Sequence, residues 1–278
     1  MSDGDYISGF LKEHDRDRYL SSLVLPHEKR TEIQVLYAFA ADVAAVPARV
    51  SEPGPGEIRL QWWRDMLEGT EHGAVSGNPL AAAIRDILAK YEIPATPLVR
   101  LVAARRFDLY QDPMPDVATF EGYAGETVSV LYHYAALILA DGQEPETGDA
   151  AGHLGVAHAL IGHMRAFSYN AAHGRIYLPT DRFSAEGVSE QQIFVGKPSP
   201  ELARTFETFR HLATDHLDKA RAAISDLPKA VRPAFAQIAI LQPQLKRIKA
   251  PFTDAGIPAD IADWQKIARL TWWTLRNG

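Results

Sequence analysis

Residues 33–44 read IQVLYAFAADVA, and Ile33, Leu36, Tyr37, Ala40, Val43 and Ala44 recur within them at three- and four-residue steps. That spacing places all six on one side of an α-helix. Pro26 and Pro47 bracket the stretch, and each is a natural helix boundary because its nitrogen donates no hydrogen bond. The same helical spacing recurs nearly everywhere else, and alternating strand-like runs closed by hairpin turns are missing. The fold class read from the chain is therefore all-α.

Downstream, a Pro-Gly-Pro-Gly turn at residues 53–56 precedes a short aromatic-rich helix carrying Ile58, Leu60, Trp62, Trp63, Met66 and Leu67. Gly69 is placed to end it, and Asn78 to cap the next helix, which runs to Tyr91. Pro94 and Pro97 then separate that helix from further ones expected over residues 98–111, 117–140, 149–170, 200–225, 232–249 and 257–276. Residues 174–198 break the pattern with Gly, Pro and Ser, which predicts a structured crossing loop with one brief helix near Gln191. No linker, charge block or repeat divides the 278 residues, so a single domain over 1–278 is expected.

Composition narrows the function. Lys+Arg 29 against Asp+Glu 35 leaves a net charge of -6, without the basic footprint of a phosphate-backbone binder, so no nucleic-acid partner is expected. With no cysteine, metal chemistry would have to use carboxylates or histidines. The longest apolar run, 127–140, is shorter than the roughly 18 residues a membrane span needs and contains His133. The acidic opening MSDGDYISGF lacks the basic start of a secretory signal. A cytoplasmic location follows as the expectation, with peripheral attachment to the inner membrane as its variant.

Common catalytic motifs are missing: no phosphate-binding G-x-x-x-x-G-K-[ST], H-E-x-x-H, G-x-S-x-G or G-x-G-x-x-G. His153, His158 and His163 step by five, about 140° of helical rotation each, and cannot converge on one ion. Asp108 and Asp112 have the i, i+4 spacing of a shared carboxylate face, but Pro113 follows at once and a solvated helix end is the expectation.

Five segments resist a generic account: residues 16–26 (RDRYLSSLVLP), 37–48 (YAFAADVAAVPA), 60–67 (LQWWRDML), 120–131 (FEGYAGETVSVL) and 164–181 (MRAFSYNAAHGRIYLPTD). In order and spacing they resemble the squalene/phytoene synthase family of head-to-head prenyl transferases, over roughly residues 10 to 250. Gly174, Arg175, Tyr177, Leu178, Pro179 and Asp181 carry the most specific match, and Tyr37 to Phe39 the next. The resemblance implies the isoprenoid synthase type of helical bundle around a central cavity. It also implies two aspartate-rich motifs holding Mg²⁺, which neutralises a departing diphosphate.

Counted from Tyr37, the first motif falls on Ala44, Ala45 and Ala48, and the arginine usual four residues after that tyrosine is replaced by Ala41. Counted from Arg165, the second motif falls on Ala166 and Asn170. Asp42 is no substitute, since two residues turn it about 200° from the face of Ala44, and Pro47 is expected to kink or end the helix there. Tyr37, Tyr123, Arg165, Arg175 and Tyr177 are what the resemblance leaves as candidates to line the cavity and bind a ligand. A purely structural role for them is the competing reading.

The lost carboxylates, the Leu-Gln-Trp-Trp helix and the altered segment at residues 16–26 resemble the branch of the family that contains a mitochondrial respiratory complex I assembly factor. That implies a non-catalytic factor whose partners are respiratory-chain subunits or a membrane surface, with no cofactor. One alternative is an active prenyl transferase with a relocated Mg²⁺ site, drawing on Asp65, Asp108, Glu121 or Glu126. Another is a protein that binds an isoprenoid or lipid without transforming it. The last helix sets Trp264, Ile267, Ala268, Thr271, Trp272 and Leu275 broadly on one side. Packing into the core is expected for that side, with a membrane interface or partner as the alternative.

Overall fold

The computed structural model describes residues 3–70, 77–252 and 260–278. Fifteen α-helices occur among them: α1 (Asp3–His14), α2 (Arg16–Ser22), α3 (His27–Ala44), α4 (Pro53–Glu68), α5 (Pro79–Lys90), α6 (Thr96–Ala104), α7 (Val117–Ala124), α8 (Val130–Leu139), α9 (Gly148–Arg165), α10 (Phe167–Ala172), α11 (Thr180–Ala185), α12 (Glu190–Val195), α13 (Pro200–Asp226), α14 (Ile238–Arg247) and α15 (Asp263–Asn277). No strand occurs among the described residues.

The deciding stretch forms the centre of the bundle. Residues 33–41 and Val43 of α3 are all buried, so the helix is covered on every side rather than along one stripe. α1, α5 and α8 pack around it. A second axis is the pairing of α9, whose buried residues include Leu154, Ala157, Leu160 and Met164, with α13, whose buried residues include Leu202, Phe206, Phe209, Ala213 and Leu217. One contiguous apolar core runs from Ile7 to Ile248. A small separate cluster of Leu20, Ala236, Ile240 and Leu270 ties α2, α14 and α15 together.

Local signals hold where the chemistry is local. The Asn78 side chain accepts hydrogen bonds from the backbone N–H groups of Leu80 and Ala81, and Gly69 closes α4 in the left-handed conformation, φ 72°. α3 ends at Ala44 and passes into a 3₁₀ turn, Val46–Arg49, containing Pro47. The Pro-Gly-Pro-Gly sequence is the first turn of α4 rather than a loop before it, since proline is welcome where helical N–H groups have no partner.

Several long helices are interrupted. The expected 117–140 helix contains a π turn, Gly125–Ser129, between α7 and α8. The 149–170 helix breaks at Ala166 (φ -88°, ψ 1°), and those over 98–111 and 232–249 include the 3₁₀ stretches Arg105–Leu109 and Lys229–Phe235. The crossing loop contains two short helices, α11 and α12, the latter closed by a capping box between Ser189 and Gln192. The start of the 257–276 helix falls partly outside the described residues, and α15 begins at Asp263.

The last helix corrects an expectation. α15 turns Lys266 and Leu270 inward, while Trp264, Ile267, Trp272 and Leu275 face out. The ion pairs of Lys266 hold that orientation together with Leu270 and the partly buried Trp273.

Candidate functional site

The positions that the resemblance assigns to the carboxylates lie at helix ends. Ala44 is the last residue of α3, Ala45 follows it, and Ala48 lies exposed in the 3₁₀ turn, its N–H donating to the Ala45 carbonyl at 3.2 Å. Ala166 sits at the break between α9 and α10, and the N–H of Asn170 donates to its carbonyl at 2.9 Å. Asp42 is engaged elsewhere: its carboxylate pairs with Arg49 Nη1 at 2.5 Å and accepts from the Trp63 indole at 3.1 Å.

Arg165, at the end of α9, meets acids from two distant elements. Its Nη2 lies 2.8 Å from Asp260 Oδ2 and its Nη1 3.8 Å from Asp17 Oδ2 on α2. Lys266 of α15 donates to Asp17 Oδ1 at 2.6 Å and to Asp260 Oδ2 at 2.5 Å, while the Gln244 amide donates to Asp17 at 2.7 Å. Two cations and two carboxylates thus close on each other. Burial opposes ionisation of Asp260, but the Lys266 hydrogen bond and the Arg165 charge outweigh it and hold its carboxyl below the usual range.

Arg18, the residue after Asp17 along α2, also points inward. It pairs with Asp15 at 2.8 Å and lies 5.6 Å from the centre of the Tyr37 ring. Burial pushes the Tyr37 hydroxyl up to about 12, with Arg18 opposing. Tyr132 donates to Gln237 Oε1 at 2.8 Å and lies 2.9 Å from His158 Nδ1. Burial and the Arg18 charge hold His158 down to about 3, so the ring is neutral.

Tyr123 and Tyr177 belong to a third group. Tyr123 donates to Asp108 at 2.7 Å, and Arg105 Nη1 donates both to Asp108 at 2.9 Å and to the Tyr123 hydroxyl at 2.8 Å. His163 stacks on Tyr177 at 4.8 Å, and Phe107 lies between the two tyrosine rings at 5.7 and 6.2 Å. Burial pushes Tyr177 up to about 12, with Asp108 adding and Arg175 opposing, and pulls His163 down to about 4. Arg175 lines an adjoining open cavity of about 300 Å³ with Pro47, Glu52, Tyr110 and Gln111.

The five candidate residues are thus divided. Tyr123 and Tyr177 gather around Asp108 with Arg175 beside Tyr177, Tyr37 sits with Arg18, and Arg165 is bound into the network with Lys266. Asp108 is not on a solvated helix end: it is 4% exposed, because Arg105 and Tyr123 satisfy its charge within the fold, whereas Asp112 is exposed. Spacing missed Asp17, Arg18, Asp260 and Lys266, because the contacts that bring them to Arg165, to Tyr37 and across α2 and α15 join segments remote in sequence. The one signal available was the unusual Arg-Asp-Arg at residues 16–18.

The residues present do not fit Mg²⁺ at the assigned positions. Alanine offers no ligand atom and Asn170 only an amide, whereas Mg²⁺ requires several hard oxygens in octahedral array. Asp65 accepts from Gln61, Asp108 from Arg105 and Tyr123, Glu121 faces His216 at 3.3 Å, and Glu126 faces Arg100 at 3.2 Å. These four carboxylates hold separate partners. Among the described residues, no group of three or more His, Asp or Glu is placed to hold a metal ion. His153, His158 and His163 likewise face His216, Tyr132 and Tyr177 respectively.

A family model described as squalene/phytoene synthase matches residues 11–267. The chain belongs to the squalene/phytoene synthase family. Its relatives within the family differ in what they are described as doing. The human NADH dehydrogenase (ubiquinone) complex I, assembly factor 6 is 27% identical over 244 residues, covering 88% of this chain and 73% of that protein. Chloroplastic phytoene synthase 1 of Arabidopsis thaliana is 26% identical over 271 residues, covering 93% of this chain and 63% of its own length. A crystal structure of a dehydrosqualene synthase in complex with ligand superposes with a TM-score of 0.82 at 17% identity, covering 99% of this chain and 97% of that one. This likeness shows the squalene/phytoene synthase fold, and the all-α bundle expected from the sequence is the fold observed.

Proposed function

We propose that this member of the squalene/phytoene synthase family performs no prenyl transfer and serves instead in the assembly or stabilisation of respiratory complex I. One observation carries the reading. The positions assigned to the family's five carboxylates hold four alanines and an asparagine, and the nearby Arg165 is neutralised by Asp260 and Asp17 instead of standing free for a diphosphate. A pyrophosphate leaving group needs cations to meet its developing charge. Here the cation is already met by the chain's own acids. The likeness to complex I assembly factor 6 over 88% of the chain supplies the direction of the proposal.

The test has two arms. Purified protein given farnesyl or geranylgeranyl diphosphate with Mg²⁺ and NADPH is expected to release no more diphosphate than a heat-inactivated control. Release above control would restore the transferase. In the second arm, deletion of the gene is expected to lower the amount of assembled NADH:quinone oxidoreductase, with recovery on re-expression; an unchanged amount would remove the assembly role.

A further inference from the structure

α15 is amphipathic in the reverse of the usual sense. Its inner side is anchored by polarity: Lys266, 3% exposed, reaches Asp17 and Asp260, Asp263 accepts from Arg16 at 2.6 Å, and the Asn277 carbonyl accepts from Arg232 at 3.4 Å. Leu270, buried with Leu20, Ala236 and Ile240, and Trp273, partly buried against the core, add its apolar contacts. The outer side holds Trp264 at 69%, Trp272 at 65%, Leu275 at 77% and Ile267 at 39% exposure. Four of the ten exposed large hydrophobic side chains among the described residues therefore sit on this one helix.

At about 100° per residue, Trp264, Ile267, Ala268, Thr271, Trp272 and Leu275 span an arc of roughly 140°, and Lys266, Leu270 and Asn277 lie opposite. Fifteen residues extend about 22 Å. Two exposed tryptophans on one face cost solvation without return unless something covers them.

The charge beside this face says what. The chain as a whole carries -6, yet α15 has three cations, Lys266, Arg269 and Arg276, to one acid, Asp263, which is held by Arg16. Arg269 and Arg276 are exposed on one flank of the apolar arc and make no ion pair among the described residues. An apolar face rich in Trp and Leu, bordered by arginine, matches the interface of an anionic bilayer, where indoles rest at headgroup depth and guanidinium groups meet lipid phosphates. No helix among the described residues is long and apolar enough to cross a membrane, so the contact is one of lying on the surface.

We infer that α15 is a surface anchor that docks the bundle on an anionic lipid leaflet through Trp264, Ile267, Trp272 and Leu275, with Arg269 and Arg276 facing the headgroups. Lys266 sets this up by holding the helix with its apolar side outward. The anchor is independent of the assembly role, because it depends only on the exposed face.

Sedimentation of the full chain with vesicles tests it. Binding to phosphatidylcholine vesicles containing phosphatidylglycerol is expected to exceed binding to phosphatidylcholine alone by several-fold, a ratio that salt reduces. The triple variant W264S/W272S/L275S, which touches no buried contact, is expected to lower partition about tenfold or more with an unchanged urea midpoint. R269Q/R276Q is expected to remove the preference for the anionic vesicles. In a second measurement, brominated lipid is expected to quench tryptophan fluorescence in the wild type, and W264F/W272F to lose most of that quenching.

Absence of wild-type sedimentation with anionic vesicles would overturn the anchor, as would full binding by the triple variant. A third overturning result is a dimer by light scattering that the triple variant makes monomeric, without vesicle binding by the wild type, because the face would then belong to a second copy.

Discussion

Lys266 of α15 donates to the carboxylate of Asp17 on α2 at 2.6 Å, across 249 residues of sequence, and its side chain is only 3% exposed. The bond joins α15 to α2, and the methylene stem of Lys266 is buried on the same side of α15 as Leu270. Replacing Lys266 with Met keeps the stem and removes the charge. Asp17 and Asp260 then keep Arg165 as their one cation, beside the neutral donors Gln244 and the Ile261 N–H, with part of their desolvation uncompensated. Because both carboxylates retain some solvent contact, a loss of about 2 kcal/mol is expected, below the range for a fully buried pair. A urea midpoint for K266M that matches the wild type would show that α15 is held by its apolar contacts instead.

Acid should weaken the fold well above the carboxylate range. Burial, reinforced by Arg18, holds His158 at about 3, and burial with Arg105 holds His163 at about 4, against an ordinary 6.5. The unfolded chain takes up these protons first, so the contribution of both rings is complete above 6.5 and is lost as pH falls from there toward 4. The slope for each is up to about 1 kcal/mol per pH unit, since each ring keeps some solvent contact. Urea midpoints between pH 4 and 7 measure it, and His163→Phe, which retains the stacking on Tyr177, is expected to flatten the curve. An identical slope in that variant would assign the acid sensitivity to other groups.

Gly155 faces the π turn so closely that a β-carbon there would lie 2.0 Å from Ser129 Oγ and 2.6 Å from the Ser129 backbone. Backbone cannot step aside as a side-chain tip can. G155A is therefore expected to force α9 away from the π turn and to cost roughly 1–3 kcal/mol, despite alanine's better helix propensity. Thermal unfolding measures this, and a stabilised G155A would mean that the two elements separate freely.

Restoring the assigned carboxylates tests their placement. The quintuple variant A44D/A45D/A48D/A166D/N170D would add five negative charges, and their mutual repulsion is expected to lower the unfolding temperature in metal-free buffer. Millimolar Mg²⁺ should then recover much of the loss, because a cation that binds only the folded state stabilises it by mass action. Normal stability without any response to Mg²⁺ would show that these five positions do not converge.

Much of the fold was legible because its causes are local. Asn78 caps the helix that follows it wherever the chain goes next, Gly69 takes the left-handed conformation that closes α4, and Pro47 cannot extend α3. The order of the Tyr-Ala-Phe and Gly-Arg-x-Tyr-Leu-Pro-x-Asp runs was enough to indicate the family that the 11–267 match establishes. Helix interruptions were not legible: the π turn at Gly125–Ser129, which lies against Gly155 of α9, and the break at Ala166 carry no proline to mark them.

The sequence by itself determined that α15 would be an amphipathic helix, because its period is written in which residues are apolar and that period is the same beside any neighbour. Which side faces in was decided only by the tertiary structure. Asp17 and Asp260 wait for Lys266 where the helix docks, and an ammonium with two carboxylate partners can be buried, whereas one without them cannot. The same holds for Asp108, whose spacing suggested a surface residue until Arg105 and Tyr123 closed over it. Charges find partners by position in space, which a linear pattern of polar and apolar residues does not contain.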